Sequence, residues 1–522
     1  MRMKWGYMAA LLACCTTYLA AQKVLYSPYI NDRATDKFEI VGKSGDYYWV
    51  QKNKKKNQVE LPAMPWSSDR EPVFEIYDSH LNEMGSIPAA VITDSTLKEY
   101  FISGNNYFDQ FILLKGNNQT FLSVQRYTAD GQFVGNKIID TLSFNEGGNS
   151  FLLLRSENKS KLMLLCFKIV EDAPLELHAL LFNENWQLLS HNKYHHPYIT
   201  QPFVQYEFFN YPVEHFGFGA VKLTDSGQWA MVAPSGRNHN FSLFHFNGID
   251  TTFVYKDIKL PASSSVEDVA LSADNEKQEA VAGILSRFRY STLKNVQVAK
   301  YSLSEKKIIF DSSFRFNTLT GDKVKHQNLY EESFVAVPKG GFMLLKEYGK
   351  DYPRIYRDNS EDYNPASGKE MLFSNNIATN DNEPTVKTDE YTKYKTLGGP
   401  RSYYKRGDLS MFYFPSDRED SCWSGIINKE QTTELNSSYL SYAVVPAAGR
   451  LFFLYNSFLW KENQYGSTTV LNHKGEEVQD EGIVFSKLKN TLLFQKARQI
   501  LDNEMAVPYS NYGKNGFAII KF

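Results

Sequence analysis

Residues 127–134 read YTADGQFV, and residues 471–478 read LNHKGEEV. In each stretch an apolar residue leads into a polar turn that contains Asp or Asn and Gly, and a second apolar residue follows. Turn residues of this kind between short apolar runs are the signal of a β-hairpin. Both stretches therefore predict hairpins, and the same unit recurs along the chain.

Eight units of this kind follow one another in the sequence. Anchored at the last apolar residue before the turn, they are Tyr77, Tyr127, Phe182, Phe246, Tyr301, Tyr356, Ile427 and Leu471. The anchors are 50, 55, 64, 55, 55, 71 and 44 residues apart, and the sixth and seventh fit the pattern least well. A repeat of about 50 residues with about four short strands is typical of a β-propeller blade.

The strands between these turns read as nearly continuous apolar runs, such as FLLLRS and LMLLCF. Such runs indicate strands that are buried on both faces, as they are when each blade packs between two others. We therefore predict an all-β chain in which residues 22–522 form a single β-propeller of seven or eight four-stranded blades. Pairing of strands within residues 23–30 and 516–522 would close it and hide their edges. Tandem β-sandwiches are the alternative, because they also have short strands and frequent turns.

The composition excludes some functions. The chain has 522 residues, with 57 basic against 59 acidic side chains, and its net charge is -2. This charge balance lacks the excess of basic residues that is typical of nucleic-acid-binding proteins. Aromatic residues make up 15% of the chain, which fits a protein rich in strands.

The hairpins at 127–134 and 471–478 resemble the "YD-x-x-G-x-x-hydrophobic" hairpins of secreted β-propeller repeat proteins of Gram-negative bacteria. The resemblance is one of pattern and covers most of residues 37–522. It implies the same fold and a location outside the cytoplasm: secreted, periplasmic or on the outer cell surface. It carries over no catalytic residue.

The first residues agree with that location. Arg2 and Lys4 precede the apolar stretch MAALLACC, which is typical of a signal peptide over residues 1–21. The alternative is a lipobox that ends at Cys14, in which case that cysteine would carry a lipid anchor. No later window has about 18 uninterrupted apolar residues, so we predict no transmembrane segment.

Two insertions interrupt the repeat, at about 190–216 and 374–406. Loops of this length are usually functional or disordered. Their aromatic and histidine side chains, with one nearby tryptophan, are the candidate ligand-binding residues: Tyr194, His195, His196, Tyr198, His215, Tyr403, Tyr404 and Trp423. Neighbouring His195 and His196 would point in opposite directions in an extended chain, so no metal site is predicted. The competing interpretation is that both insertions are ordinary solvated loops.

Other signals are weaker. Asp417, Glu419 and Asp420 could supply a calcium site or a carboxylate pair, but an ordinary solvated turn has the same composition. Calcium is thus the one cofactor that the sequence raises, and only weakly. Cys166 lies in an apolar run and Cys422 in a polar loop, so we expect them to be unpaired.

No nucleophile elbow, phosphate-binding loop or dinucleotide fingerprint occurs. We therefore expect a non-catalytic, monomeric binding protein for a protein or glycan ligand. The alternative is a polysaccharide-acting hydrolase or lyase with its site on one propeller face, because propeller enzymes assemble sites from residues on several blades.

Overall fold

The computed structural model describes residues 24–29, 38–55, 70–88, 96–116, 119–142, 149–168, 175–196, 215–216, 219–234, 241–262, 264–288, 293–317, 329–337, 341–352, 403–417, 422–429, 431–433, 440, 442–447, 449–459, 463–472, 474–478, 491–511 and 514–522. The predicted signal peptide, Cys14 and Tyr198 lie outside the described residues, as do Glu419, Asp420 and most of both insertions. No described helix is long and apolar enough to cross a membrane.

Eight antiparallel sheets account for the described strands, and they are the blades of an eight-bladed β-propeller. Blade 1 contains β2 (Phe38–Ser44), β3 (Tyr47–Lys55), β4 (Arg70–Tyr77) and β5 (Glu83–Pro88). Blade 2 contains β6 (Thr96–Ser103), β7 (Tyr107–Lys115), β8 (Thr120–Thr128) and β9 (Phe133–Leu142). Blade 3 contains β10 (Asn149–Arg155), β11 (Lys161–Lys168), β12 (Leu175–Asn183) and β13 (Leu188–His196). Blade 4 contains β15 (Gly219–Leu223), β16 (Trp229–Pro234), β17 (Phe241–Phe246) and β18 (Phe253–Ile258), with the short β14 (His215–Phe216) beside β15.

The remaining four blades follow the same plan with small departures. Blade 5 contains β19 (Ser264–Asp274), β20 (Glu279–Phe288), β21 (Leu293–Ser302) and β22 (Lys307–Asn317). Blade 6 contains β23 (Leu329–Val337), β24 (Gly341–Tyr352), β25 (Tyr403–Phe414) and β26 (Trp423–Ile427), with β27 (Gln431–Thr433) beside β25. Blade 7 contains β28 (Tyr442–Ala447), β29 (Arg450–Leu459) and β30 (Asn463–Leu471). Blade 8 contains β31 (Thr491–Leu492), β32 (Arg498–Leu501), β33 (Glu504–Asn511), β34 (Lys514–Lys521) and β1 (Val24–Tyr26), and a short 3-10 helix lies at Phe494–Lys496.

The fold class is thus the predicted propeller and not a series of β-sandwiches. The chain divides into two compact units. The terminal unit consists of Met1–Asp36, His80–Asn82 and Ser438–Phe522, and it holds blades 7 and 8. The six-bladed unit consists of Lys37–Ser79 and Glu83–Ser437, and it holds blades 1–6.

The two chain ends pair within the terminal unit, as predicted. Strand β1 runs antiparallel to β34, with Val24 opposite Ile520 and Tyr26 opposite Ala518. Beyond β1, the Ser27 carbonyl accepts a hydrogen bond from the Tyr509 hydroxyl at 2.6 Å. The three residues of β1 would be too few to hold without such contacts, because short isolated strand pairs are marginal in water.

Apolar clusters between neighbouring blades form the core of the six-bladed unit. In β10, Phe151 and Leu153 belong to a cluster with blade 2, whereas Leu152 and Leu154 belong to a cluster with blade 4. Successive strand residues point to opposite faces, so a strand with neighbours on both faces needs an unbroken apolar run. This explains the runs from which the propeller was predicted. Cys166 is buried in one of these clusters, and it forms no disulfide with Cys422, as expected.

The predicted hairpin turns share one backbone geometry. In three of them the N–H of the fourth turn residue donates to the carbonyl of the first, from Gly131 to Thr128, Trp186 to Asn183 and Gly475 to Asn472, at 3.0–3.1 Å. The fourth residue has a φ of 95°, 59° and 78° in these turns. That left-handed backbone favours glycine, which explains the glycine in YTADGQFV and LNHKGEEV.

Six of the eight anchors lie at the end of a third strand, on β4, β8, β12, β17, β21 and β30. The seventh assignment was wrong, because Ile427 is the last residue of the fourth strand β26 and precedes no such hairpin. Tyr356 lies outside the described residues. In blade 6 a long connection separates the second and third strands, and this shifts the apparent repeat.

The strands of a blade alternate in direction, so the six-bladed unit has two different ends. At the turn end lie the connections between first and second and between third and fourth strands. Hydrogen bonds between blades link these turns: Gly45 N–H to Asn105 O at 2.5 Å, Asn158 N–H to Asp225 Oδ1 at 3.0 Å and Asp225 N–H to Asn275 Oδ1 at 2.9 Å. At the opposite, insertion end, second strands end, third strands begin and one blade leads into the next; β13 ends there at His196 and β24 at Tyr352.

Candidate functional site at the insertion end

Five charged side chains form a chain of alternating sign between blades 5 and 6, which we call the charge ladder. Arg287 Nε lies 2.5 Å from Glu267 Oε1, and Lys294 Nζ lies 2.5 Å from Glu267 Oε2. The same Lys294 ammonium contacts Glu332 Oε1, and Lys346 Nζ lies 2.9 Å from Glu332 Oε2. Each carboxylate oxygen of the ladder therefore has a cationic partner.

The strand register brings these residues together. Arg287 on β20 lies opposite Lys294 on β21, and Glu332 on β23 lies opposite Lys346 on β24. Glu267 lies on β19 where the pairing register shifts between Val266 and Asp268. A bulge of this kind redirects a side chain, and here the carboxylate reaches both Arg287 and Lys294.

The two lysines of the ladder are more deeply buried than its carboxylates. The side chains of Lys294 and Lys346 are 3% and 5% exposed, whereas those of Glu267 and Glu332 are 22% and 19% exposed. Burial lowers the pKa of Lys346. Burial opposes ionisation of Glu332, but hydrogen bonds from Lys294 and Lys346 outweigh it and lower the pKa of that carboxyl. Lys294, Glu332 and Lys346 are thus held in a largely buried ion-pair network and are not loosely held surface charges.

The position of the charge ladder in the six-bladed unit suits a ligand-binding site. β19 and β23 are first strands, and first strands of neighbouring blades contact each other (β15 with β19, and β19 with β23). Exposed apolar side chains such as Phe133, Val134 and Leu188 lie instead on fourth strands, at the outer rim. Glu267 and Glu332 each lie near the start of their first strand, toward the insertion end, and the other ladder residues lie on second and third strands of blades 5 and 6.

The predicted ligand-binding residues whose side chains the structure describes do not lie together. Tyr194 is 4% exposed, and its hydroxyl donates to the Asp250 carbonyl at 3.0 Å. Burial raises the pKa of Tyr194 to about 12, as expected for a tyrosine in the core. His195 lies exposed on the outer strand β13, opposite Glu176.

The other candidate residues lie apart from Tyr194 and His195. His196 pairs with Leu175 at the end of β13, and His215 pairs with Ala220 on the inner edge of blade 4. In blade 6, Tyr403 and Tyr404 begin β25 at the insertion end, whereas Trp423 begins β26 at the turn end. Trp423 stacks on Tyr413 with ring centroids 5.5 Å apart. The side chains of His196, His215 and Tyr403 lie outside the described atoms.

Sequence reasoning missed the ladder, because its residues are separated in the chain and each has an ordinary alternating strand context. It also missed His178, whose Nε2 lies 2.5 Å from Glu176 Oε1. Burial lowers the pKa of His178 despite that carboxylate. No group of three or more His, Cys, Asp or Glu side chains in the described part of the chain is arranged to hold a metal ion. Asp417 lies exposed after β25, and the calcium site remains a prediction.

A second polar cluster, between blades 2 and 3, is structural. Arg126 forms two hydrogen bonds with Asp109 at 2.8 and 2.7 Å, and its guanidinium lies between the rings of Tyr107 and Trp186. The adjoining cavity is about 10 Å³, room for at most one water molecule. This cluster fastens two blades at the turn end.

No family model and no curated protein matches this sequence. Among solved structures, an oligogalacturonate lyase in complex with manganese is similar, with 7% identity, a TM-score of 0.34, and coverage of 97% of this chain and 98% of that chain. A polysaccharide lyase PL25, an ulvanlyase, has 9% identity and a TM-score of 0.36, with 95% and 96% covered. The β-propeller domain of the Trilobed protease from Pyrococcus furiosus has 8% identity and a TM-score of 0.33, with 90% and 99% covered.

Proposed function

We propose that this protein is a secreted or envelope-associated propeller that binds a glycan, without catalysis, at the insertion end of its six-bladed unit. The observation that supports this most is the difference between the two ends. Tight turns linked by hydrogen bonds between blades occupy the turn end. The long connections and the charge ladder belong to the insertion end, and binding residues commonly lie on connections that a rigid scaffold positions.

The ladder suits a ligand rich in hydroxyl groups. Glu267 and Glu332 are each about one-fifth exposed, but their Oε2 atoms are buried, so at most one oxygen of each can accept a hydrogen bond from a ligand. The half-exposed Arg287 guanidinium can donate hydrogen bonds. Buried lysines hold the carboxylates in place. A site whose polar groups are fixed before binding loses less entropy when the ligand arrives.

An enzymatic role is the less favoured interpretation. Hydrolysis of a glycosidic bond needs one carboxylic acid with a raised pKa as proton donor. The pKa of Glu332 is lowered, and all four carboxylate oxygens of the ladder are engaged by cations. Both features make Glu332 a poor candidate for the proton donor.

The proposal is tested by applying the purified full chain to a broad glycan array, with and without calcium. We expect saturable binding to one glycan class, weakened about tenfold or more by Glu332→Gln, which removes one ladder charge. Glu305→Gln is the matched control, since Glu305 pairs with Lys307 at the turn end of blade 5.

Circular dichroism of each variant establishes that it is folded. If the folded protein binds no glycan on the array, the result would contradict glycan binding. Crosslinking in the cell envelope would then identify a protein partner instead. Binding that both substitutions leave unchanged would place the site elsewhere.

A further inference from the structure

We infer that the glycan is anionic and that Arg287 takes its carboxylate or sulfate group; this rests on the proposed function. Arg287 is the next-to-last residue of β20, at the insertion end of blade 5. Its side chain is 49% exposed, and its Nε lies 2.5 Å from Glu267 Oε1.

The remainder of the ladder orients this guanidinium. Lys294, 3% exposed, holds the Glu267 carboxylate, and Glu267 in turn holds Arg287 Nε. A guanidinium fixed at Nε presents its two Nη groups as a planar fork. Such a fork matches the paired oxygens of a carboxylate or sulfate and binds them through two parallel charge-assisted hydrogen bonds.

The charge balance also favours an anion. The ladder has three cations, Arg287, Lys294 and Lys346, for two carboxylates. A second exposed arginine, Arg315, lies near the end of β22 at the same end of this blade, with its guanidinium 5.3 Å from the centre of the Phe288 ring. These positive charges would attract a uronate or a sulfated sugar more strongly than a neutral sugar.

The test measures binding of the full chain to four oligosaccharides by calorimetry. An alginate hexamer carries carboxylates and a carrageenan hexamer carries sulfates; carboxyl-reduced alginate and desulfated carrageenan are their neutral counterparts. We expect one or both anionic hexamers to bind about tenfold or more tightly than their neutral counterparts, since hydrogen bonds between charged groups are strong. This preference should weaken as salt rises.

Variants locate the anion. Arg287→Gln should reduce affinity for the anionic hexamer to that of the neutral one. Arg287→Lys, which keeps the charge but not the fork, should fall between the two. Lys307→Gln removes one positive charge from the turn end of the same blade, where Lys307 pairs with Glu305, and should change nothing.

The two ideas fail in different ways. Equal affinity for charged and neutral hexamers would overturn the anionic ligand and leave glycan binding intact. An anion preference that survives both Arg287 substitutions would overturn the role of Arg287. If no glycan on the array or among these hexamers binds the folded chain, both the inference and the proposed function fail.

Discussion

Single buried polar residues give this propeller a defined dependence on pH. His245 is 5% exposed, and its Nε2 lies 3.2 Å from Gln228 Oε1. Burial, with a smaller contribution from the charge of Lys306, lowers the pKa of His245 to about 4. The folded state therefore holds this imidazole neutral at pH values where the unfolded chain protonates it.

The free energy of unfolding should fall between about pH 6.5 and pH 4 because of His245. In this window the unfolded state binds more protons, so stability rises with pH and is fully present above about 6.5. At pH 5, protonation of this histidine in the unfolded chain lowers the free energy of unfolding by about 2 kcal/mol relative to its value above pH 6.5. Denaturant unfolding at pH 7.5 and pH 5 measures it. His245→Gln, which cannot titrate, should lose about that much less stability on acidification; an identical loss in both proteins would contradict the assignment.

At the scale of the element, the hairpin turns hold neighbouring blades together as well as reversing the chain. Trp186 has the left-handed φ of 59° that glycine adopts in the equivalent turns. Its indole nevertheless covers the Arg126 guanidinium and donates to Asp109 at 3.1 Å. The contacts between blades 2 and 3 thus stabilise a side chain in a backbone conformation that is unfavourable for it.

Substitution of Trp186 separates these two effects. Trp186→Ala removes the indole but keeps the left-handed strain, and should destabilise the protein by about 2–3 kcal/mol, less than a fully buried tryptophan. Trp186→Gly loses the same contacts without the strain and should be more stable than the alanine variant by up to about 1 kcal/mol. Chemical denaturation compares them. An alanine variant at least as stable as the glycine variant would show that the strain is negligible.

At the scale of the whole molecule, the chain ends belong to one sheet. Strand β1 covers the edge of β34, and Ser27 adds hydrogen bonds to Tyr509 and to the Phe517 N–H at 2.6 and 3.0 Å. An uncovered edge strand exposes a row of unpaired backbone groups and invites pairing with another chain.

Removal of β1 should therefore have two consequences. A chain that starts at residue 30 should melt at a lower temperature than one that starts at residue 23, and it should self-associate through the uncovered β34. Calorimetry and size-exclusion chromatography measure the two effects, and the longer chain is the control. Equal melting temperatures would mean that β1 adds nothing to the stability of blade 8.

The sequence by itself determined the strands, the turns and the repeat. Apolar runs and turn residues are local signals. A strand buried on both faces must be apolar throughout, which explains FLLLRS, and a tight hairpin turn needs polar residues and glycine, which explains YTADGQFV. The pairing of the two chain ends could also be predicted, because both have the sequence pattern of strands that need a partner. The blade 6 hairpin was misplaced at Ile427, since a long connection there changes the spacing without changing the local pattern.

Only the tertiary structure decided which polar residues meet. Glu267, Lys294 and Glu332 come from three strands of two blades, and their contact depends on a bulge and a register that no local pattern records. Tyr194 shows the reverse case. Its aromatic sequence context suggested a ligand-binding residue, but packing against blade 4 buries its side chain. Burial and charge pairing are properties of the space between blades, and the sequence specifies that space only through the packing of the whole unit.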